Sequence, residues 1–175
     1  KRVLDIGCGS GKVLASLLDW GATPKDLYGI DLLPERIQVA QTNYPDFHFQ
    51  AGNAEQLPFE NASFDLIMFF TVFSSILDPS MAHNVADVAN RLLKQGGAII
   101  WYDFRYQNPN NQNTHPMTRQ KIHKLFPGYH LELRTVTLLP MVARRLSPFT
   151  STLYPLLSNI PFLRTHYIGL LIKPT

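Results

Sequence analysis

The chain has 175 residues, 45% of them apolar, with 16 Lys and Arg against 13 Asp and Glu for a formal net charge of +3. That length and apolar share suit one globular domain with a substantial core and exclude wholesale disorder, while the small charge and the lack of a dense Lys/Arg run give nucleic-acid binding no support. Cys8 is the one cysteine, which excludes an internal disulfide and fits a reducing cytoplasm; no apolar run is long enough to span a bilayer, and no secretory signal is visible.

The first element is an apolar strand, Arg2 to Ile6, which runs into Gly7-Cys8-Gly9-Ser10-Gly11. Glycines in such a turn open backbone conformations closed to other residues and let a ligand approach closely. A helical pattern follows from Gly11 to Trp20 and stops at Gly21. Its start offers free N–H groups and partial positive charge, so strand, turn and helix together suit a nucleotide or an anion. A second strand, Leu27 to Asp31, sets Asp31 roughly twenty residues past the turn, where dinucleotide folds place an acid on the ribose hydroxyls. A carboxylate can accept from both hydroxyls of a vicinal diol. Cys8 reads as a small residue in a crowded turn or as a nucleophile lacking a visible base.

Pro34 opens a helix expected to bury Ile37, Val39 and Ala40 and to end before Pro45. Strand three is Phe47 to Gln50, and the polar turn Gly52 to Phe59 follows it. Strand four is Phe64 to Phe70. Pro79 opens a helix with Val85, Val88, Ala89, Leu92 and Leu93 on its buried side, which Gly96-Gly97 is expected to end. Strand five is Ala98 to Asp103. Arg105 to His115 is a polar loop, solvated or functional, that leaves the carboxyl end of a central strand, where open α/β sheets bind ligands. A short helix spans Met117 to Phe126, strand six Tyr129 to Leu138 and strand seven Tyr167 to Lys173. Alternating strands and helices argue for an α/β fold, a parallel doubly wound sheet with helices on both faces, in a single domain over residues 1–175.

Between strands six and seven, residues 140–163 are apolar and broken by Pro148, Pro155 and Pro161, with Arg144, Arg145 and Arg164 nearby. The stretch reads as core, as a lid over an apolar acceptor, or as a peripheral membrane contact through 140–164 with arginines toward lipid phosphates. A single long amphipathic helix is disfavoured by the prolines.

With Asp5, Gly7, Gly9, Gly11, Asp31 and the segments after strands three, four and five in this order, the chain resembles a class I S-adenosylmethionine-dependent methyltransferase of the small-molecule, lipid or glycan type, similar to the ubiquinone and menaquinone methyltransferases. The Gly-x-Gly-x-Gly spacing differs from the Gly-x-Gly-x-x-Gly of nicotinamide enzymes. The resemblance implies a Rossmann-like seven-stranded sheet with the last strand antiparallel and S-adenosylmethionine as cofactor; no cluster in the sequence has metal-ligand spacing, so no metal is expected. It implies that Gly7, Cys8 and Gly9 pass along the methionine part and that Asp5 helps hold its amino group. Asp31 would take the ribose hydroxyls, Leu32 would pack on adenine, Asn53 and Ala54 would face the adenine edge, and Phe70 and Thr71 would lie beside the methionine. Many relatives carry Asp where this chain has Asn53, so altered affinity is expected there. Helices ahead of the first strand usually cover the cofactor in this family, and the chain is expected to be trimmed of them.

Methyl transfer needs alignment of the acceptor and, for a hydroxyl, removal of its proton. Phe70-Thr71-Val72-Phe73 is not the Asn/Asp-Pro-Pro-Tyr/Phe tetrad of amino-methylating enzymes, which favours oxygen as the receiving atom. Serines 74 and 75 stand where small-molecule relatives often have a histidine. His115, Asp103 and Arg105, at the exit of strand five, are the candidate catalytic residues, and each also has a structural reading. The expected activity is methyl transfer to a small-molecule or amphipathic acceptor in the cytoplasm, possible peripheral membrane contact included; the alternatives are a nicotinamide-dependent oxidoreductase and a non-catalytic cofactor-binding module.

Overall fold

A computed structural model describes residues 1–107, 113–138, 157 and 160–175. Seven strands form one sheet in the order β3-β2-β1-β4-β5-β7-β6. They are β1 (Val3–Ile6), β2 (Leu27–Asp31), β3 (His48–Ala51), β4 (Phe64–Phe70), β5 (Leu93–Phe104), β6 (His130–Leu138) and β7 (Arg164–Ile172). β1 to β5 pair in parallel, and β7 runs antiparallel between β5 and β6. The last strand is therefore antiparallel, as the resemblance implies.

All four residues of β1 are buried, as expected of a central parallel strand with both faces covered. Its alternation divides the core. Val3 joins Leu14, Leu27, Ile37, Ala40 and Met68 on one face, beneath α1 (Lys12–Ala15) and α2 (Pro34–Asn43). Leu4 and Ile6 join Phe69, Phe73, Trp101 and Phe126 on the other, beneath α3 (Pro79–Leu92) and α4 (Arg119–Leu125). On that second face Phe73 stacks on Trp101 with centroids 4.9 Å apart, and Phe69 meets Phe73 edge-on at 4.9 Å. Helix starts follow their sequence signals: Pro34 and Pro79 sit at first-turn positions. The Asp78 carboxylate accepts the Ser80 N–H at 2.8 Å, and Thr118 Oγ1 accepts that of Lys121 at 3.3 Å.

Four expectations need correction. The helix after the glycine turn keeps α-helical form only to Ala15, then tightens into a 3₁₀ turn over Ser16–Trp20 before Gly21 closes it at φ 83°. Val39 is 49% exposed, because Ile37 and Ala40 carry the buried side of α2. α3 ends at Leu92 rather than at Gly96-Gly97, and Leu93 to Gly97 already belong to β5. Long-range partners draw that segment out: the Ser63 N–H donates to Leu92 O at 2.9 Å and that of Lys173 to Gly97 O at 2.9 Å. The fourth helix is shorter than Met117 to Phe126, since its cap is Thr118. The stretch 140–163 lies outside the described residues except for 157 and 160–163, as do 108–112 of the polar loop. Among the described residues no helix is long and apolar enough to cross a membrane.

Candidate active site

The order of the sheet decides where a ligand can sit. β1 has β2 on one side and β4 on the other, so the chain reverses direction of build at β1 and leaves a crevice at the strands' carboxyl ends. The turn after β1 is pinned there: the N–H groups of Gly7 and Cys8 both donate to Ile30 O, at 2.7 and 3.0 Å. Gly7 has φ 81°, and a Cβ on it would stand 2.6 Å from Val72 Cγ2, so no larger residue fits between the turn and the segment after β4. Gly9, at φ 54°, has nothing within 4 Å of where its Cβ would be, which leaves its backbone open to close approach.

Asp31 closes the crevice at the end of β2. Its carboxylate accepts the Gly9 N–H at 2.9 Å through Oδ2 and the Leu33 N–H at 3.0 Å through Oδ1. Each oxygen keeps capacity for a further bond. Arg36 approaches Oδ2 at 3.9 Å. Leu32, beside this buried acid, is 64% exposed, an apolar platform that water does not favour.

A cavity of about 380 Å³ brings together Gly7, Asp31, Leu32, Asn53, Ala54, Phe70 and Thr71. The Asn53 side chain is folded back locally: Oδ1 accepts the Glu55 N–H at 3.0 Å and Nδ2 donates to Glu55 Oε2 at 3.1 Å. Thr71 has φ 57°, a conformation costing a branched residue on the order of 1–3 kcal/mol. Its N–H donates to Tyr102 O at 2.7 Å, which holds it there against that strain.

Four expected residues stand outside the lining. Asp5 is 1% exposed beneath the turn, and its Oδ1 makes no hydrogen bond among the described residues. Burial, with the nearby Asp31 charge, pushes its carboxyl up to about 7. The Cys8 side chain turns into the core beside Leu14 and Phe49, and burial pushes its thiol up, away from nucleophile chemistry. Gly11 is needed for packing, since a Cβ there would lie 2.7 Å from Phe49 Cζ. Gly9 reaches the site through its bond to Asp31. The sequence reading missed Arg36, Val72, Ser75, Ile76, Leu77 and Met81, all on the lining. The available signal was topological, because residues that follow β4 at a switch point face the crevice.

The three catalytic candidates are not brought together. Asp103 is 1% exposed and accepts the N–H groups of Ser74 at 3.0 Å and Phe104 at 2.8 Å. Burial raises its pKa against those bonds, and it acts as a brace under the β4–α3 connection rather than as a group facing ligand. The Arg105 guanidinium lies over the Tyr106 ring at 4.4 Å and donates to its hydroxyl at 2.8 Å. His115 donates its backbone N–H to Ser74 O at 2.8 Å and borders a different cavity. Among the described residues that line the 380 Å³ cavity, the ionisable side chains are Asp31 and Arg36.

Residues 3–97 match the family described as a methyltransferase domain. A phthiotriol/phenolphthiotriol dimycocerosates methyltransferase of Mycobacterium leprae is 36% identical over 110 residues, covering 62% of this chain and 39% of that protein. The chain thus spans less than half the length of the curated relatives it matches here. Among solved structures, an S-adenosylmethionine-dependent methyltransferase of Methanosarcina mazei superposes with a TM-score of 0.72 at 21% identity, over 99% of this chain and 92% of that one. The [4+2]-cyclase SpnF superposes with a TM-score of 0.72 at 15% identity, over 99% and 75%. At such identities the likeness is one of fold.

Proposed function

Since the chain belongs to the methyltransferase-domain family, we propose that its activity is transfer of the methyl group of S-adenosylmethionine to a small-molecule, lipid or glycan acceptor, at oxygen. The observation that carries this reading is the pairing of Asp31 with an open Gly9 backbone at one end of a cavity that has an exposed Leu32 at its lip. A diol beside a flat apolar ring is what that donor set suits. The cofactor, when bound, supplies an activated methyl group and a good leaving group.

The residues present fit it. Asp31 has one free acceptor position on each oxygen for the ribose hydroxyls. Leu32 and Ala54 offer apolar surface to adenine. Asn53, though tied to Glu55, keeps one amide hydrogen and one lone pair for the adenine edge. Gly7 and Gly9 let the methionine part lie against the backbone, and the buried Oδ1 of Asp5 is an acceptor placed under that turn. Phe70 and Thr71 wall the methionine end, where the held backbone of Thr71 fixes the position of neighbouring groups before any ligand arrives.

For the acceptor, support comes from the Mycobacterium leprae relative, whose name specifies a triol. A site that accepts a lipid or an amphipathic molecule agrees with the apolar 140–163 stretch and its arginines, and peripheral membrane contact through 140–164 is part of the proposal. The test is calorimetry with S-adenosylmethionine and with NAD, then methyl release over hydroxyl, amine and carboxylate acceptors. Binding of the first and turnover on hydroxyl acceptors are expected. Tighter binding of NAD, or cofactor binding with no turnover on any class, would overturn the activity.

A further inference from the structure

On the far side of the β4–α3 connection lies a second cavity, of about 180 Å³. Its walls are Phe73, Ile76, Leu77, Ala82, Met117 and Leu125, almost wholly apolar. The space is comparable to the dry engineered cavities of about 150 Å³ that take benzene. It is separated from the methyl-transfer cavity by Ile76 and Leu77, which line both.

The rim has one sign of charge. Lys121 and Lys124, three apart on α4, are its charged lining residues, His83 and His115 also line it, and none of the described lining residues is acidic. Lys121 Nζ donates to Pro116 O at 3.0 Å, which ties that ammonium to the chain while it keeps its charge. Lys124 makes no hydrogen bond or ion pair among the described residues. His83 Nδ1 lies 2.8 Å from Pro79 O, which fixes the proton on that nitrogen and leaves Nε2 available. An apolar slot under an uncompensated ammonium suits a small amphiphile with a negative end.

We propose that this cavity is a binding site for a small apolar carboxylate, an aromatic acid or a short acyl chain, with its hydrocarbon against Phe73 and Leu77 and its charge at Lys124. It is a site apart from the cofactor's, and a bound acid would press on the wall the two cavities share.

The fold contains a reporter. Phe73 lines the cavity and stacks on Trp101, which is fully buried. Trp20 is 86% exposed and would dominate the signal, so the Trp20→Phe variant isolates Trp101. Benzoate and octanoate, with toluene and benzylamine as neutral and cationic controls, are titrated by fluorescence and calorimetry at low salt. Benzoate and octanoate should bind at least tenfold tighter than the controls. Lys124→Gln should weaken them three- to tenfold and reduce their salt dependence, with S-adenosylmethionine affinity unchanged. Ala82→Phe, which fills the slot without adding a tryptophan, should abolish binding; Lys124→Gln, on an exposed side chain, keeps the test decisive should that variant not fold. Equal affinity for benzoate and toluene, or unaltered benzoate binding in Lys124→Gln, would overturn the site. Because the acids are read without cofactor, failure of S-adenosylmethionine binding would sink the proposed transfer and leave this site standing.

Discussion

Asp31 does two jobs, and a substitution there should reveal both. It holds the N–H groups of Gly9 and Leu33, and it is the proposed partner of the ribose. Asp31→Ala is expected to weaken S-adenosylmethionine binding by about 1.5–3 kcal/mol, the range for hydrogen bonds to a charged group. Melting temperature should also fall, since two turn donors lose their acceptor. Calorimetry that finds parental affinity would remove Asp31 from the cofactor site. Asp5 gives the second prediction. Its carboxyl ionises near its ordinary 3.8 in the unfolded chain and at about 7 in the fold, so the fold keeps a proton that the unfolded chain has released. The contribution of Asp5 to stability is then largest below about pH 4, falls as pH rises toward 7 and is level above. Asp5→Asn, neutral throughout, should match the parent at low pH and exceed it at pH 8 by up to about 4 kcal/mol. Urea unfolding across pH measures this; parallel curves for the two proteins would contradict it. These residues were legible in the sequence as a set. What spacing could not convey is that Asp5 and Cys8 lie off the cavity lining, Asp5 buried beneath the turn and Cys8 in the core cluster that holds Leu14 and Phe49.

At the level of elements, the connection between β4 and α3 carries the site. It contributes Val72, Ser75, Ile76 and Leu77 to the cavity, and the Asp103 carboxylate ties it to the end of β5 through the Ser74 N–H. Asp103→Ala strands two backbone donors and should cost about 2–4 kcal/mol of stability. Asp103→Asn keeps one acceptor oxygen and should retain turnover once folded. Loss of kcat in Asp103→Asn at parental stability would instead make it a catalytic group. β2 and β4 match the sequence pattern end to end, because each is a mostly apolar run with no residue exposed, bounded by turn residues. The α3–β5 boundary does not. Leu92 and Leu93 continue the helical apolar spacing, and only their bonds to Ser63 and to the segment after β7 decide that the helix stops. Those partners are far away in sequence, so no local window contains the answer. The place of His115 is equally non-local: its backbone N–H meets Ser74 O, and it lines the second cavity rather than the 380 Å³ one.

For the whole molecule, cofactor and stability are linked. S-adenosylmethionine at a hundred times its Kd should add about 2.7 kcal/mol, which in a chain of this size raises the melting temperature by roughly 5–11 °C. A thermal shift with S-adenosylmethionine and none with NAD is expected; equal shifts would contradict the cofactor assignment. The overall architecture was readable because alternating strands and helices leave few arrangements of a parallel sheet. The reversed edge came from the family resemblance, since nothing in the residues of β6 and β7 specifies that the later strand lies inside the earlier.

That inversion of order at the edge has a consequence for how the molecule is made. Among the described strands β6 pairs only with β7, which is translated after it. A nascent chain that has emerged as far as Leu138 therefore carries a finished strand with no partner and a β5 whose outer edge is bare. Both are sticky surfaces of the kind that recruit chaperones or pair with a neighbouring polypeptide. The arrival of Arg164–Ile172 seals both edges at once.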